Sequence, residues 1–364
     1  MPDQPLYVPI LKGKEGEFAA LEALNDSVKT QLTPLVEVPA VPYDYANERP
    51  TRSLDEHIAG VPERLKRCCG SNPFYLDLPW FGADDQLSDG RAALGAILAA
   101  CNRMDVAAIP VVSRTSTPSY VSAARANVSG VRKNVCIRLL VEDFDEEIEL
   151  DAEVDRLISS LGFIDASTAD LVVDLEDLST DSGRAALIAR SVLSMIPRKD
   201  EWRRIVLAAS SFPEDLSDVS AATITTLPRL EWDLWRSLQR RQAALPRRDL
   251  IFGDYAIAHP VTKEIDPRTM RMSANIRYTT ENAWLVIKGR NVRQYGFDQY
   301  FELCRTLVEH PDYSGRDFSW GDKYIADCAE GMAGPGNATT WRKVGVNHHL
   351  TLVTKELARL RLGS

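Results

Sequence analysis

Eight short apolar, β-branched segments, each separated from the next by a stretch of helical periodicity, constrain this chain more than any other feature. They are Tyr7–Leu11, Leu32–Val38, Phe74–Trp80, Ala107–Ser113, Val135–Val141, Leu171–Leu175, Ile205–Ser210 and Leu250–Tyr255. The stretches between them, among them EFAALEALNDSV, GRAALGAILAACNRM and LEWDLWRSLQRRQAA, carry apolar residues three and four apart, the pattern of a helix with one buried stripe. Parallel strands need crossovers of this length. LVVDL and RIVLAAS are apolar almost throughout, which suits strands covered on both faces. The pattern predicts an α/β fold, a closed (β/α)8 TIM-like barrel that leaves no strand as an edge. An open doubly wound sheet shares the alternation and is the competing architecture; the strand count favours closure.

The chain continues well past the eighth strand. NIRYTTENAWLVIKGR reads as a β-hairpin inserted after it, GFDQYFELCRTLVEH as the eighth barrel helix, and DKYIADCAEG and HLTLVTKELARLRL as a C-terminal helical extension. The expected organisation is therefore 1–265 for the barrel strands and first seven helices, 266–310 for the hairpin and eighth helix, and 311–364 for an extension packed on the barrel.

Hydrophobic residues make up 45% and charged residues 26%, the balance of a globular domain rather than a disordered or fibrous one. No apolar run reaches membrane-spanning length, and MPDQPLYVPILKGKEGE lacks the basic-then-apolar order of a leader, so a cytoplasmic location is expected. Six cysteines lie scattered without CxxC pairs, which points away from a zinc or thioredoxin-like centre and towards buried thiols. A net charge of −9 argues against broad coating of nucleic acid. The charge is uneven: residues 266–364 hold 14 Lys+Arg against 11 Asp+Glu, leaving −12 for the rest.

Barrel enzymes place their chemistry at the C-terminal ends of the strands. Those ends are polar in this sequence: Lys12 and Lys14, Glu37, Asp77, Arg114, Arg138 and Glu142, Asp174 and Glu176, Ser210 and Ser211, then Asp254 with Tyr255 and His259 just beyond. Asp174 and Arg138 interrupt otherwise apolar runs, and a charge buried without a partner costs several kcal/mol, so pairing inside the barrel is expected. Glu37, Asp77, Asp174, Glu176, Asp254 and His259 are the candidate catalytic residues; Asp77, Asp174 and Asp254 could hold a divalent cation, the one cofactor suggested. Lys12, Arg114 and Arg138 suit an anionic substrate such as a phosphate. The hairpin region adds Arg268, Arg271, Arg277, Lys288, Arg290 and Arg293 around Tyr278 and Trp284, an anion-facing patch able to grip a nucleotide or nucleic acid, with Arg277, Trp284, Lys288 and Arg290 as its substrate-binding candidates. The bland alternatives are an ion-pair network that fills the barrel and a hairpin that packs Trp284 and solvates its charges. His348 and His349 lack the i, i+4 spacing of a helical metal pair, and Asn337 or Thr339 suits a helix cap.

The blocks YVPILKGKEGEFAAL, LTPLVEVP, LEWDLW, FGDYAIAHP, ANIRYT, WLVIKGR, FSWGDKYI and GNATTWRKVGVNHHLTLV resemble the phage "beta protein" family over nearly the whole chain. The resemblance implies a phage or prophage setting and a part in phage–host conflict, and brings no assigned activity. It places Asp254, His259, Arg277, Trp284, Lys288, Trp320, Asp322, Asn337, Trp341, Arg342, Asn347 and His348 within family motifs. Three readings follow. The first is a hydrolase acting on a phosphate-containing substrate, a nucleotide or nucleic acid, in the manner of a metal-dependent phosphodiesterase or nuclease. The second is a non-catalytic sensor or inhibitor that binds a phage or host protein through Trp320 and Trp341. The third is a sugar- or lipid-directed hydrolase.

Overall fold

The computed structural model describes residues 5–82, 85–128, 134–162, 166–178, 182–240, 250–261 and 272–362. Its barrel strands are Tyr7–Leu11, Leu35–Glu37, Phe74–Asp77, Ala108–Val112, Val135–Leu140, Ala169–Asp177, Arg204–Ser210 and Leu250–Asp254. All pair in parallel in that order, and the first closes on the eighth with Tyr7 opposite Phe252 and Pro9 opposite Asp254. The eight apolar segments therefore each supply one strand, and closure removes the open sheet as an alternative.

Because side chains alternate along a strand, each one feeds two cores. Val8, Ile10, Leu35, Tyr75, Val111, Cys136, Val172, Val206, Ile251 and Tyr255 fill the barrel interior. Their neighbours Tyr7, Val36, Phe74, Leu76, Ile137, Leu171 and Phe252 face outward into the layer shared with the helices. All six cysteines are buried, and none is in a disulfide. Among the described residues no helix is long and apolar enough to cross a membrane.

The region after the eighth strand departs from expectation in two ways. The hairpin, Ser273–Thr279 with Ala283–Asn291, gains a third antiparallel strand, Thr223–Pro228, from the segment before the eighth strand. Four successive β-branched residues, Thr223 to Thr226, carry that signal, but the strand is largely exposed and has no apolar face to reveal it. Second, the stretch expected as the eighth barrel helix forms Gln299–Val308 but packs on this sheet and on the helix Trp320–Ala329. The place beside the first barrel strand belongs to the C-terminal helix Ala338–Leu362. Val346, Leu350, Val353 and Leu357, on one stripe, enter the main core, whereas Trp341 and Val344 enter a second core with Ile276, Tyr278, Leu303 and Ile325. This helix is thus buried on two sides and stitches the sheet to the barrel. Asn337 caps its start, accepting from the Thr340 amide at 3.1 Å.

Candidate active site

Following the inward positions to the C-terminal ends of the strands gives Lys12, Glu37, Asp77, Arg138, Asp174 and Tyr255, six side chains from strands one, two, three, five, six and eight. They meet. Arg138 stands at the centre: its Nη1 donates to Glu37 Oε1 at 2.9 Å and Asp77 Oδ2 at 2.8 Å. Its Nη2 donates to Asp174 Oδ2 at 2.7 Å and the Tyr255 hydroxyl at 2.8 Å, while Nε also reaches Asp174. Tyr255 in turn donates to Asp174 Oδ2 at 2.5 Å. Lys12 Nζ donates to Glu37 Oε2 at 2.7 Å and lies 4.7 Å from the centre of the Tyr255 ring. Every charge in this buried layer has a partner, which is the condition for tolerating it. Gly13 follows at φ +61°, where a Cβ would stand 2.3 Å from the Glu37 carbonyl oxygen, so glycine alone lets the chain leave the strand here.

Above this layer opens a cavity of about 470 Å³. Its floor and walls include Lys12 and Arg138 against Glu37, Asp77, Glu142, Asp143 and Glu176, with Ser113, Ser116, Thr117 and Tyr120 between them. Trp80, Phe81, Pro260 and Val261 form an apolar rim, with Trp80 45% exposed. The cavity is therefore acidic, because both cations already serve carboxylates.

Those carboxylates differ in character. Burial pushes Glu37 up, but Arg138 and Lys12 outweigh it and hold the carboxyl below its ordinary range. Asp77 is raised, by burial first and by the Glu37 charge, and Arg138 offsets only part of this. Glu176, half-buried at the cavity wall, is raised by burial and by Asp174. Burial opposes charge on Arg138, yet Tyr255, Asp174, Glu37 and Asp77 keep the guanidinium firmly protonated.

Glu176 also has an unusual backbone. It sits at φ +53°, just past Asp174, where the pairing with strand seven shifts register. The Glu176 amide donates to Asp174 Oδ1 at 2.9 Å, and two strands away the Ala256 amide, also at φ +53°, donates to Asp254 Oδ1 at 2.9 Å. A non-glycine residue in this region costs about 1–3 kcal/mol, and such strain gathers where a side chain must be aimed. Here the bulge turns Glu176 into the cavity.

Several expected site residues lie elsewhere. Asp254 occupies an outward position, so it leaves the mouth and instead accepts from Tyr7 and meets His349 Nε2 at 2.9 Å in the seam under the C-terminal helix. His349 Nδ1 contacts Thr279 Oγ1 at 2.8 Å. The adjacent His348 points the other way, with Nδ1 2.8 Å from Asp322 Oδ2 and Nε2 2.7 Å from the Thr279 carbonyl. His259 stands behind the rim, 3.5 Å from Asp177, and does not line the cavity. Arg114 is bound to Asp143 at 2.6 Å and faces a groove between the helices Pro118–Val128 and Leu150–Leu161. With Asp254 removed and Arg138 lodged among Glu37, Asp77 and Asp174, the three suggested cation ligands do not converge, and among the described residues no group of His, Cys, Asp and Glu is placed to hold a metal.

Among the described residues, Trp284, Lys288 and Arg290 of the hairpin present no cationic face to the mouth. Trp284 is buried edge-on against Phe212, Lys288 clamps the carbonyls of Leu216 and Val219, and Arg290 lies exposed over Tyr295. Arg277 is half-buried and donates to the Ile257 carbonyl at 2.8 Å. Arg268 and Arg271 lie outside the described residues. Trp341, expected as a contact surface, is buried and stacked on Tyr300 with ring centres 4.3 Å apart. Sequence reading passed over Asp143, Tyr120 and the Trp80 rim; counting strand positions by twos would have turned Asp254 outward and Tyr255 inward.

The sequence pattern of the family described as Beta protein matches residues 7–355. No curated protein matches the chain. Among solved structures, a tryptophan synthase from M. tuberculosis is similar over 58% of this chain and 85% of that one, at 13% identity and a TM-score of 0.24, a likeness too slight to carry an argument.

Proposed function

The chain belongs to the Beta protein family, and from that premise we propose that its barrel mouth is a hydrolytic active site for a small phosphate-containing ring compound, such as a nucleotide, in a phage or prophage setting. The observation that carries this reading is Glu176: a carboxyl raised above its usual range, half-exposed in a cavity wall, and aimed there by a strained bulge. Hydrolysis needs one group to take a proton from water and another to return one to the leaving group. Glu176 fits the first role and the raised, buried Asp77 the second. Arg138, Lys12, Asp174 and Tyr255 act as positioning residues that fix Asp77 and the floor.

The exposed Trp80 and the Phe81, Pro260 and Val261 rim suit the flat face of a base or sugar ring, whereas the acidic floor suits its hydroxyl or amino groups rather than its phosphate. This chemistry proceeds through carboxylates, so turnover should persist in EDTA. The test is to incubate the purified chain with nucleotides, nucleosides, sugar phosphates and short RNA and DNA, with and without EDTA. Glu176→Gln should lower turnover by about 100-fold or more, the usual contribution of a positioned acid or base, with an unchanged melting temperature. Turnover that EDTA abolishes, or that survives in Glu176→Gln, overturns the assignment.

A further inference from the structure

The mouth leaves the phosphate of such a substrate without a receptor, since Lys12 and Arg138 are committed to carboxylates. A second group of cations stands beside it. Strands eight and one are neighbours in the barrel, so the loops that leave their ends share one side of the rim. The loop after strand one carries Lys14, the start of the C-terminal helix carries Arg342, and the hairpin strand Ser273–Thr279 carries Arg277. All three are half-buried.

Close backbone packing brings their three elements together. Gly345 lies so near that a Cβ there would stand 2.9 Å from the Arg277 carbonyl oxygen and 2.6 Å from Ile257 Cδ1. A Cβ on Gly16 would stand 2.8 Å from Cβ of Arg342. The Arg277 guanidinium lies 4.6 Å over the Phe212 ring, donating to the Ile257 carbonyl and, at 3.3 Å, to Asn275 Oδ1. Both of those acceptors are neutral.

Among the described residues only Glu17 faces this group as a carboxylate, 3.5 Å from Arg342, and it is shared with the Lys14 amide at 3.0 Å. Among the described residues, three cations against one acid leave an excess of two positive charges in a partly desolvated seam. Buried charges are ordinarily paired. The strain is visible in the groups themselves: burial and then Arg342 pull Arg277 down to about 10, and burial and then Arg342 lower Lys14. An arrangement that pushes cations together without counter-charges is one that an incoming anion relieves.

We propose that Lys14, Arg277 and Arg342 form a phosphate-binding subsite on the rim, built jointly by the barrel, the hairpin sheet and the C-terminal helix. The identification of its ligand as the phosphate end of the substrate rests on the hydrolase reading above; the anion site itself does not. Its position explains why the extension is stitched so tightly to the barrel: no one of the three elements supplies the site alone.

The test is calorimetric titration of the intact chain with inorganic phosphate and with pyrophosphate, against chloride at equal ionic strength. Wild-type protein should bind phosphate saturably, and its melting temperature should rise with phosphate but not with chloride. Arg277→Met and, independently, the more accessible Arg342→Gln should each weaken binding at least tenfold. In phosphate-free buffer both variants should still unfold in one cooperative transition above the titration temperature, so that lost binding is not lost fold. Glu176→Gln should bind phosphate as wild type does, so loss of turnover with retained binding separates failure of the hydrolase reading from failure of this one. Absent saturable binding, or binding that both substitutions leave intact, overturns the subsite.

Discussion

Replacing Arg138 with methionine tests whether the barrel mouth is held by charge pairing. The substitution keeps the stem's apolar bulk but leaves Glu37, Asp77 and Asp174, each within 2.9 Å of the guanidinium, with Lys12 as the sole nearby cation. Breaking a buried ion pair by removing one partner costs about 3–5 kcal/mol. With an unfolding entropy of roughly 2.1 cal/mol/K per residue, 364 residues give about 0.76 kcal/mol/K, so the melting temperature should fall by about 4–7 °C at pH 8. The pH dependence fixes the mechanism. Without Arg138 the buried carboxyls are raised in the folded state, so their contribution is favourable below the unfolded value and is lost as pH rises. The gap between variant and wild type should therefore be wide at pH 8 and narrower at pH 5. Adding Asp174→Asn should recover part of the loss, since it removes one orphaned charge while keeping the shape. Calorimetric melts across pH read all three variants. A gap that is the same at both pH values, or a double variant less stable than Arg138→Met by the full cost of Asp174→Asn alone, refutes the pairing argument.

Four further outcomes follow from the same geometry. Asp254→Asn should destabilise the fold by about 1–3 kcal/mol, the cost of weakening buried hydrogen bonds, while leaving turnover intact; because Asp254 is lowered despite its burial, chiefly by His349, this difference should vanish as acid protonates the wild-type group. Trp341→Ala should cost about 3–5 kcal/mol as a cavity in the extension core, so a pull-down defect without a lowered melting temperature would contradict its burial. Glu231 and Glu356, both raised to about 7 by burial that Arg229 only partly offsets, contribute stability that is present near pH 4.5 and lost as pH rises towards 7; Glu356→Gln should flatten that slope in melts taken from pH 5 to 8. Should turnover be found, its rate should fall on the acid side at a pH above the usual glutamate range, because burial and Asp174 raise Glu176.

The barrel was legible because strand identity rests on local apolar runs, and eight of those survive in a single sequence with edges displaced by only a few residues. Arg138 and Asp174 were legible as a pair for a related reason: a charge inside an apolar run has nowhere to go except to another such charge. What the sequence concealed was direction. Asp254 and Tyr255 are neighbours at the end of one strand, and only their parity decides that the carboxylate leaves the mouth while the hydroxyl enters it. Glu176, two positions beyond Asp174, keeps the inward parity, and what local composition does not announce is the β-bulge in which it sits.

That the C-terminal helix takes the place of a barrel helix was hidden for the opposite reason. Its buried surface is rich in polar groups, Asn347, His348, His349, Thr351 and Thr354, so the 3.6-residue stripe that marks other barrel helices is diluted. Three of those groups are satisfied across a long sequence separation, Asn347 at the Ala20 carbonyl, His348 at Asp322 and His349 at Asp254, whereas Thr351 and Thr354 donate to carbonyls one turn back in the same helix. Polar burial of this kind fixes register, because a shift of one helical position would orphan several donors at once. The same register sets Arg342 against Glu17 and Gly345 against Arg277. The histidine pair, which carries no metal spacing and no place at the mouth, thus governs the rim indirectly: it is the clamp that holds the cations of one element over the loop of another.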